Sequence, residues 1–119
     1  MLYIFSLSEA THIFYELVKD RDLMQHQSVI ENRMKKALEP FHYLAYLTDH
    51  RYTESSMRNV SLADEQSAEA WLNERDPDFN HSLMLYNTRD PRYFPAYLFS
   101  DASKKIAPGV WWQSIQVNL

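Results

Sequence analysis

One glycine, Gly109, in a chain of 119 residues constrains the fold more than any other feature. Tight β-hairpin turns, dinucleotide loops and P-loops use glycine for positive φ or for close backbone approach. A chain with a single glycine is poorly supplied for all three. Helices joined by Pro- and Asp-marked turns need few glycines, so the composition points to an all-α domain with little or no strand. No internal repeat or low-complexity tract interrupts the chain, and its length suits one domain over residues 1–119.

Punctuation and periodicity divide it into six or seven helices. Ser6-Leu7-Ser8-Glu9 has the form of a capping box, and Leu7, Ala10, Ile13, Phe14, Leu17 and Val18 follow at helical spacing. Asp22 is expected to cap a second helix carrying Leu23, Ile30, Met34 and Leu38. Pro40 starts a third whose Phe41, Tyr43, Leu44, Ala45, Tyr46 and Leu47 leave hardly any polar face, so it should be the central, buried helix. The polar residues 53–59 read as a loop. Ser61 opens a fourth helix with Leu62, Ala68, Trp71 and Leu72 on one side, Asp76-Pro77 a fifth, and Ser100 and Pro108 two more, the last being "PGVWWQSIQVNL". The conformation of residues 89–99 stays open, because Pro95 pushes Phe94 from helical angles. The expected core holds Ile30, Met34, Leu38, Phe41, Leu44, Ala45, Leu47, Trp71, Leu72, Leu83 and one of Trp111 and Trp112.

Several chemistries are poorly served. Cysteine is absent, which removes disulfides, thiolate nucleophiles and Cys-bound zinc and fits an intracellular compartment. His12, His26, His42, His50 and His81 show no metal-ligand spacing, and no nucleophile elbow exists. The apolar start "MLYIFSLSEA" lacks a basic region and is too short to span a bilayer; so abrupt a start also suits a domain cut from a longer chain. No catalytic residue, cofactor, metal, membrane partner or small-molecule substrate is indicated.

Three sets of residues remain as candidates. Arg33, Lys35, Lys36, Arg51 and Arg58 fall in one stretch and, with nearby tyrosines, could grip a phosphate backbone. Twelve Lys+Arg against sixteen Asp+Glu, a net charge of -4, limit this to weak, local DNA contact. Trp111 and Trp112 lie about 100° apart on a helix. One should reach the core while the other covers the domain's own surface or anchors another chain. Asp49, Arg51 and Tyr52 end the central helix in a compact polar string.

"RMKKALEPFHYLAYLTDHRY", then "SLADEQSAEAWL", then "FSDASKKIAPGVWWQSI" together resemble a region of the hAT-superfamily transposases and their domesticated descendants, over roughly residues 32–119. The family pattern reads approximately L-x-P-x-x-x-L-A-x-x-L-D-P-R-[YF], L-T-x-E-Q with W-L, and P-x-x-W-W. Here Thr48-Asp49-His50-Arg51 replaces Leu-Asp-Pro-Arg, losing the proline. The family's acidic triad lies outside this region, so no catalytic residue carries over. The resemblance implies a late helical segment of a transposase-like protein, nuclear and catalytically inactive, with Asp49 and Arg51 as a structural helix-end pair; action by docking or self-association is expected from the Trp-Trp end and the net charge of -4. The competing expectations are an intracellular protein-interaction module unrelated to DNA and, beyond that, a small His/Asp-dependent hydrolase.

Overall fold

A computed structural model describes the backbone of residues 2–116 and the side chains of residues 7–115. Seven α-helices follow one another among the described residues, with no strand: α1 (Leu2–Lys19), α2 (Gln27–Ala37), α3 (Pro40–Leu47), α4 (Thr53–Asn59), α5 (Leu62–Arg75), α6 (Pro77–Thr88) and α7 (Pro108–Gln116). Short 3₁₀ turns occupy Arg21–His26, His50–Tyr52, Ala96–Phe99 and Ser103–Lys105. The all-α, single-domain expectation holds.

Local chemistry explains most helix starts. Pro40, Pro77 and Pro108 each open a helix, where a missing N–H leaves nothing unsatisfied. Ser61 Oγ accepts from Asp64 N at 3.2 Å, and Asp76 Oδ1 from Phe79 N at 3.1 Å. At α3 the helix-starting box is closed by a histidine: His42 Nδ1 accepts the Glu39 N–H at 3.0 Å. Several expectations need correction. The second helix is preceded by a 3₁₀ turn whose cap is Asp20, not Asp22, since the Asp20 carboxylate accepts the Asp22 N–H at 2.9 Å. Helix α1 begins well before Ser6, whose side chain is outside the described residues, as are residues 117–119, expected to continue the last helix.

Residues 53–59 form α4 rather than a loop. Its anchors are hydroxyls: buried Thr53 bonds His50 O at 2.9 Å and Tyr86 Oη at 3.0 Å, and buried Ser56 donates to Thr53 O at 3.1 Å. The inward face of α1 is also rotated from the apolar stripe. Ile13 and Leu17 are exposed, whereas Ser8 and Thr11 are fully buried, Thr11 Oγ1 donating to Leu7 O at 2.7 Å. Small hydroxylated side chains fill the seam where α1 lies along α3.

The interior divides into two clusters. One gathers Met34, Leu38, Tyr43, Tyr46, Leu47, Val60 and Ala68; the other Leu72, Leu83, Tyr86, Phe94, Trp111, Trp112 and Ile115. Leu44 packs against both. Of the expected core, Ile30, Phe41, Leu44 and Trp71 are only half-buried, and Leu62, assigned to the inner side of its helix, is 68% exposed. Phe41, Leu44 and Trp71 are half-buried because they line an open groove described below.

Gly109 sits in the first turn of α7 without positive φ. The left-handed position belongs instead to Arg89, φ 55° and ψ 45°, which ends α6 where glycine is the usual residue. Its N–H reaches Tyr86 O at 3.1 Å and the Asp90 N–H reaches Leu85 O at 3.2 Å, so the helix end is closed by a residue with a steric penalty there.

Candidate functional site

The polar string after α3 folds into a closed corner. Asp49 has an extended backbone, and its Oδ1 accepts both the Arg51 N–H and Arg51 Nε, each at 3.0 Å, while Oδ2 accepts Nη2 at 2.6 Å. The Asp49 side chain is fully buried and that of Arg51 is 14% exposed. Glu9 Oε1 stands 3.6 Å from Arg51 Nη1, and the guanidinium lies over the Tyr52 ring at 5.1 Å. Burial pulls the Arg51 pKa down, but the Asp49 hydrogen bonds and charge outweigh it and hold it above the usual arginine value. One aspartate therefore makes the turn and neutralises the cation it orients.

His50, 1% exposed, joins this corner to the C-terminal part of the chain. Its Nε2 lies 2.8 Å from Ser103 O, an acceptor, so Nε2 carries the proton and donates. Its ring stacks on Trp111 at 4.6 Å and 6°. Burial lowers its pKa, outweighing the Ser103 hydrogen bond and the Asp49 charge that favour the cation. The neutral ring then leaves Nδ1 as a buried acceptor without a hydrogen-bond partner. Beside it, burial pushes the Tyr86 hydroxyl up to about 12.

Both tryptophans are interior, at 2% for Trp111 and 7% for Trp112, so of the two alternatives for the second tryptophan the exposed anchor is excluded. Helix α7 is enclosed on two flanks. Trp111 meets His50, Phe94 and Phe99 and donates Nε1 to Leu98 O at 2.9 Å. Trp112 meets Phe79 and Tyr86 and donates Nε1 to Thr48 O at 2.8 Å. Among the described residues, the exposed large apolar groups at this end are Ile106 and Val110.

The basic set separates. Arg33, Lys35 and Lys36 are exposed on α2, and Arg58 is exposed on α4 with its Nε donating to Glu54 O at 3.3 Å. Arg51 does not share that exposure, because Asp49 holds it.

Sequence reasoning missed a second copy of the corner. Asp90-Pro91-Arg92-Tyr93 follows α6 as Asp49-His50-Arg51-Tyr52 follows α3. Its distances are nearly the same: Asp90 Oδ1 to Arg92 N 3.0 Å and to Nε 3.1 Å, Oδ2 to Nη2 2.7 Å, with the guanidinium over Tyr93 at 5.6 Å. Hydrogen bonds from Arg92 lower the Asp90 pKa. The repeated Asp-x-Arg-Tyr string was the available signal.

Two concavities adjoin these elements. A hollow of about 480 Å³ is lined by His50, Arg51, Glu54, Arg89, Phe99 and Lys104 among others. A groove of about 530 Å³ is lined by Phe41, Leu44, Trp71, Phe79, Gly109 and Trp112 among others. Among the described residues no group of three His, Asp or Glu side chains could hold a metal ion, and no helix is long and apolar enough to cross a membrane. Comparison of the chain with protein-family models, with curated proteins and with solved structures finds no match.

Proposed function

We propose that this chain is a catalytically inactive helical segment of a hAT-like transposase or a domesticated descendant, nuclear like that family, and that it works by self-association through its α7 end. The observation that carries the transposase reading is spatial. Two segments of the resemblance far apart in sequence meet in the fold, the corner after α3 and the Trp-Trp helix, through Trp112 Nε1 to Thr48 O at 2.8 Å and the His50–Trp111 stack at 4.6 Å. Motif positions that interlock are what a shared structural role requires, and the Asp49–Arg51 pair is occupied with turn-making and charge neutralisation.

Self-association is favoured by what surrounds the apolar groove. Gly109 and Trp112 line it, while Val110 and Ile106 project 51% and 42% exposed on the same stretch. An apolar recess and apolar projections on one short stretch of chain would give a second copy both halves of a two-fold contact. Gel filtration with light scattering at low and raised salt tests this. Dimers that persist at raised salt and are lost in Val110→Asp, with helicity unchanged, are expected, because apolar burial is not screened. A strictly monomeric chain that binds duplex DNA with steep salt dependence, lost on Arg33→Glu and Lys36→Glu, would move the function to the α2 surface.

A further inference from the structure

We propose that the hollow between the corner and the 89–104 segment binds a small organic phosphate, with Arg89 and Lys104 as its anchors. The inference does not rest on the transposase resemblance. The hollow's volume, about 480 Å³, lies within the roughly 300–1,000 Å³ of small-molecule sites. Cations reach it from three separate elements: Arg51 from the corner, Arg89 from the end of α6, and Lys104 from the Ser103–Lys105 turn. Their commitments differ. Arg51 is held by Asp49 and forms a neutral wall. Lys104 meets Asp101 at 3.6 Å, but that carboxylate is fully solvent-exposed and readily displaced. Arg89 has no carboxylate partner among the described residues; one Nη donates to Tyr86 O at 2.5 Å and the guanidinium lies over Tyr86 and Phe99 at 4.6 and 4.1 Å.

That guanidinium is held in place by aromatic faces and by a left-handed backbone that an arginine adopts only against a steric penalty. A helix end needing only closure is better served by glycine or asparagine. Placing a fixed, uncompensated arginine at the rim of a hollow fits the planar donor fork that recognises phosphate oxygens. The opposite character of the remaining wall sets the rest of the ligand. Pro91, Phe94, Ala96 and Phe99 supply apolar surface, which suits an organic body and gives bare phosphate little to contact. Glu54 also lines the hollow, and disfavours an anion spread over the whole surface. His50 also lines the hollow, with its Nδ1 buried and without a hydrogen-bond partner.

Calorimetric titration of the full chain at low salt, with AMP, adenosine and inorganic phosphate as probes, tests the proposal. AMP should bind about tenfold or more tightly than either fragment, since each lacks one half of the recognition. Arg89→Asn, a residue suited to left-handed φ, and Lys104→Gln, on an exposed side chain, should each weaken AMP about five- to tenfold with unchanged circular dichroism. Should Arg89→Asn fail to fold, Lys104→Gln decides alone. A 5′-phosphorylated single strand compared with its 5′-hydroxyl form separates the sources. Binding of AMP but of neither strand assigns a free metabolite, and binding of AMP and of the phosphorylated strand but not of its 5′-hydroxyl form assigns a chain terminus. Equal binding of AMP and adenosine, equal binding of both strands, unchanged affinity in Lys104→Gln, or no binding of AMP would each overturn the proposal.

Discussion

The two Asp-x-Arg-Tyr corners supply a matched experiment on what burial does to one hydrogen-bond pattern. In Asp49→Ala the lost groups are the cap on the Arg51 N–H and both oxygens that take its guanidinium. Losing a side-chain cap costs about 1 kcal/mol, and breaking a buried pair by removing one partner costs roughly 3–5 kcal/mol, because the other charge stays buried and unpaired. Arg51 keeps Glu9 at 3.6 Å and is 14% exposed, so part of its charge can be relieved. The expected total is therefore at the low end, about 3 kcal/mol, a large share of the roughly 5–15 kcal/mol available to a domain. For a chain of this size that lowers Tm by on the order of 10 °C. Asp90→Ala removes the same bonds at a corner whose arginine side chain is 76% exposed, where water replaces them, and should shift the urea midpoint far less. Equilibrium urea unfolding followed by tryptophan fluorescence reads both, since Trp111 and Trp112 lie in the adjoining cluster. Equal destabilisation by the two substitutions, or a loss below about 1 kcal/mol in Asp49→Ala, would refute the argument that burial makes the first corner strong.

Leu44→Ala should cost about 2 kcal/mol, the low end for such truncations, because Leu44 packs against both clusters yet is only half-buried; chemical denaturation measures it. Trp112→Phe should destabilise by roughly 1–3 kcal/mol by leaving the Thr48 carbonyl without its indole donor, and a fully stable variant would discount that bond. Burial lowers the pKa of His50 and of His42, so the unfolded chain binds more protons below the ordinary value of 6.5. Their contribution is present above that pH and is lost as pH falls below it; urea midpoints between pH 7.5 and 5.5 should drop, less steeply in His50→Gln. The isolated chain should not cleave DNA with Mg²⁺ or Mn²⁺, tested by a plasmid-nicking assay; metal-dependent nicking abolished by an Asp49 substitution would refute the structural assignment of the corner.

Sequence alone reached those features whose cause is local. Pro40, Pro77, Pro108, Ser61 and Asp76 open helices through their own backbone or side-chain chemistry, whereas the helix-end pairing of Asp49 with Arg51 is expected only from the resemblance. What escaped depends on partners distant in sequence. Helix α4 has no apolar stripe, because Thr53 and Ser56 are buried through hydroxyl bonds, one of them to Tyr86. Thr11 faces inward on α1 with its hydroxyl bonded to Leu7 O, and Ser8 is buried without a hydrogen-bond partner, so the buried face is rotated from the apolar stripe, of which Phe14 and Val18 still pack against the first cluster. Nothing in the residues around Arg89 announces left-handed φ. The Trp-Trp pair was legible as two directions on a helix, but only the packed neighbours on both flanks reveal that each direction ends in core.

The division of the interior has a consequence for how the chain yields under stress. Along α5 the buried positions pass from Ala68, in the first cluster, to Leu72, in the second, within about one helical turn. Most of the first cluster comes from residues before that turn and the second from residues after it, so each half has nearly its own contiguous stretch of chain. Amides of α2, whose one buried side chain is Met34, should exchange with solvent through small local openings, whereas those of α6 and α7 should wait for a rarer event that parts the aromatic cluster. Substitutions on one side would then be felt on the other through Leu44 and through the contacts of Thr48, His50 and Thr53 with Trp112, Trp111 and Tyr86.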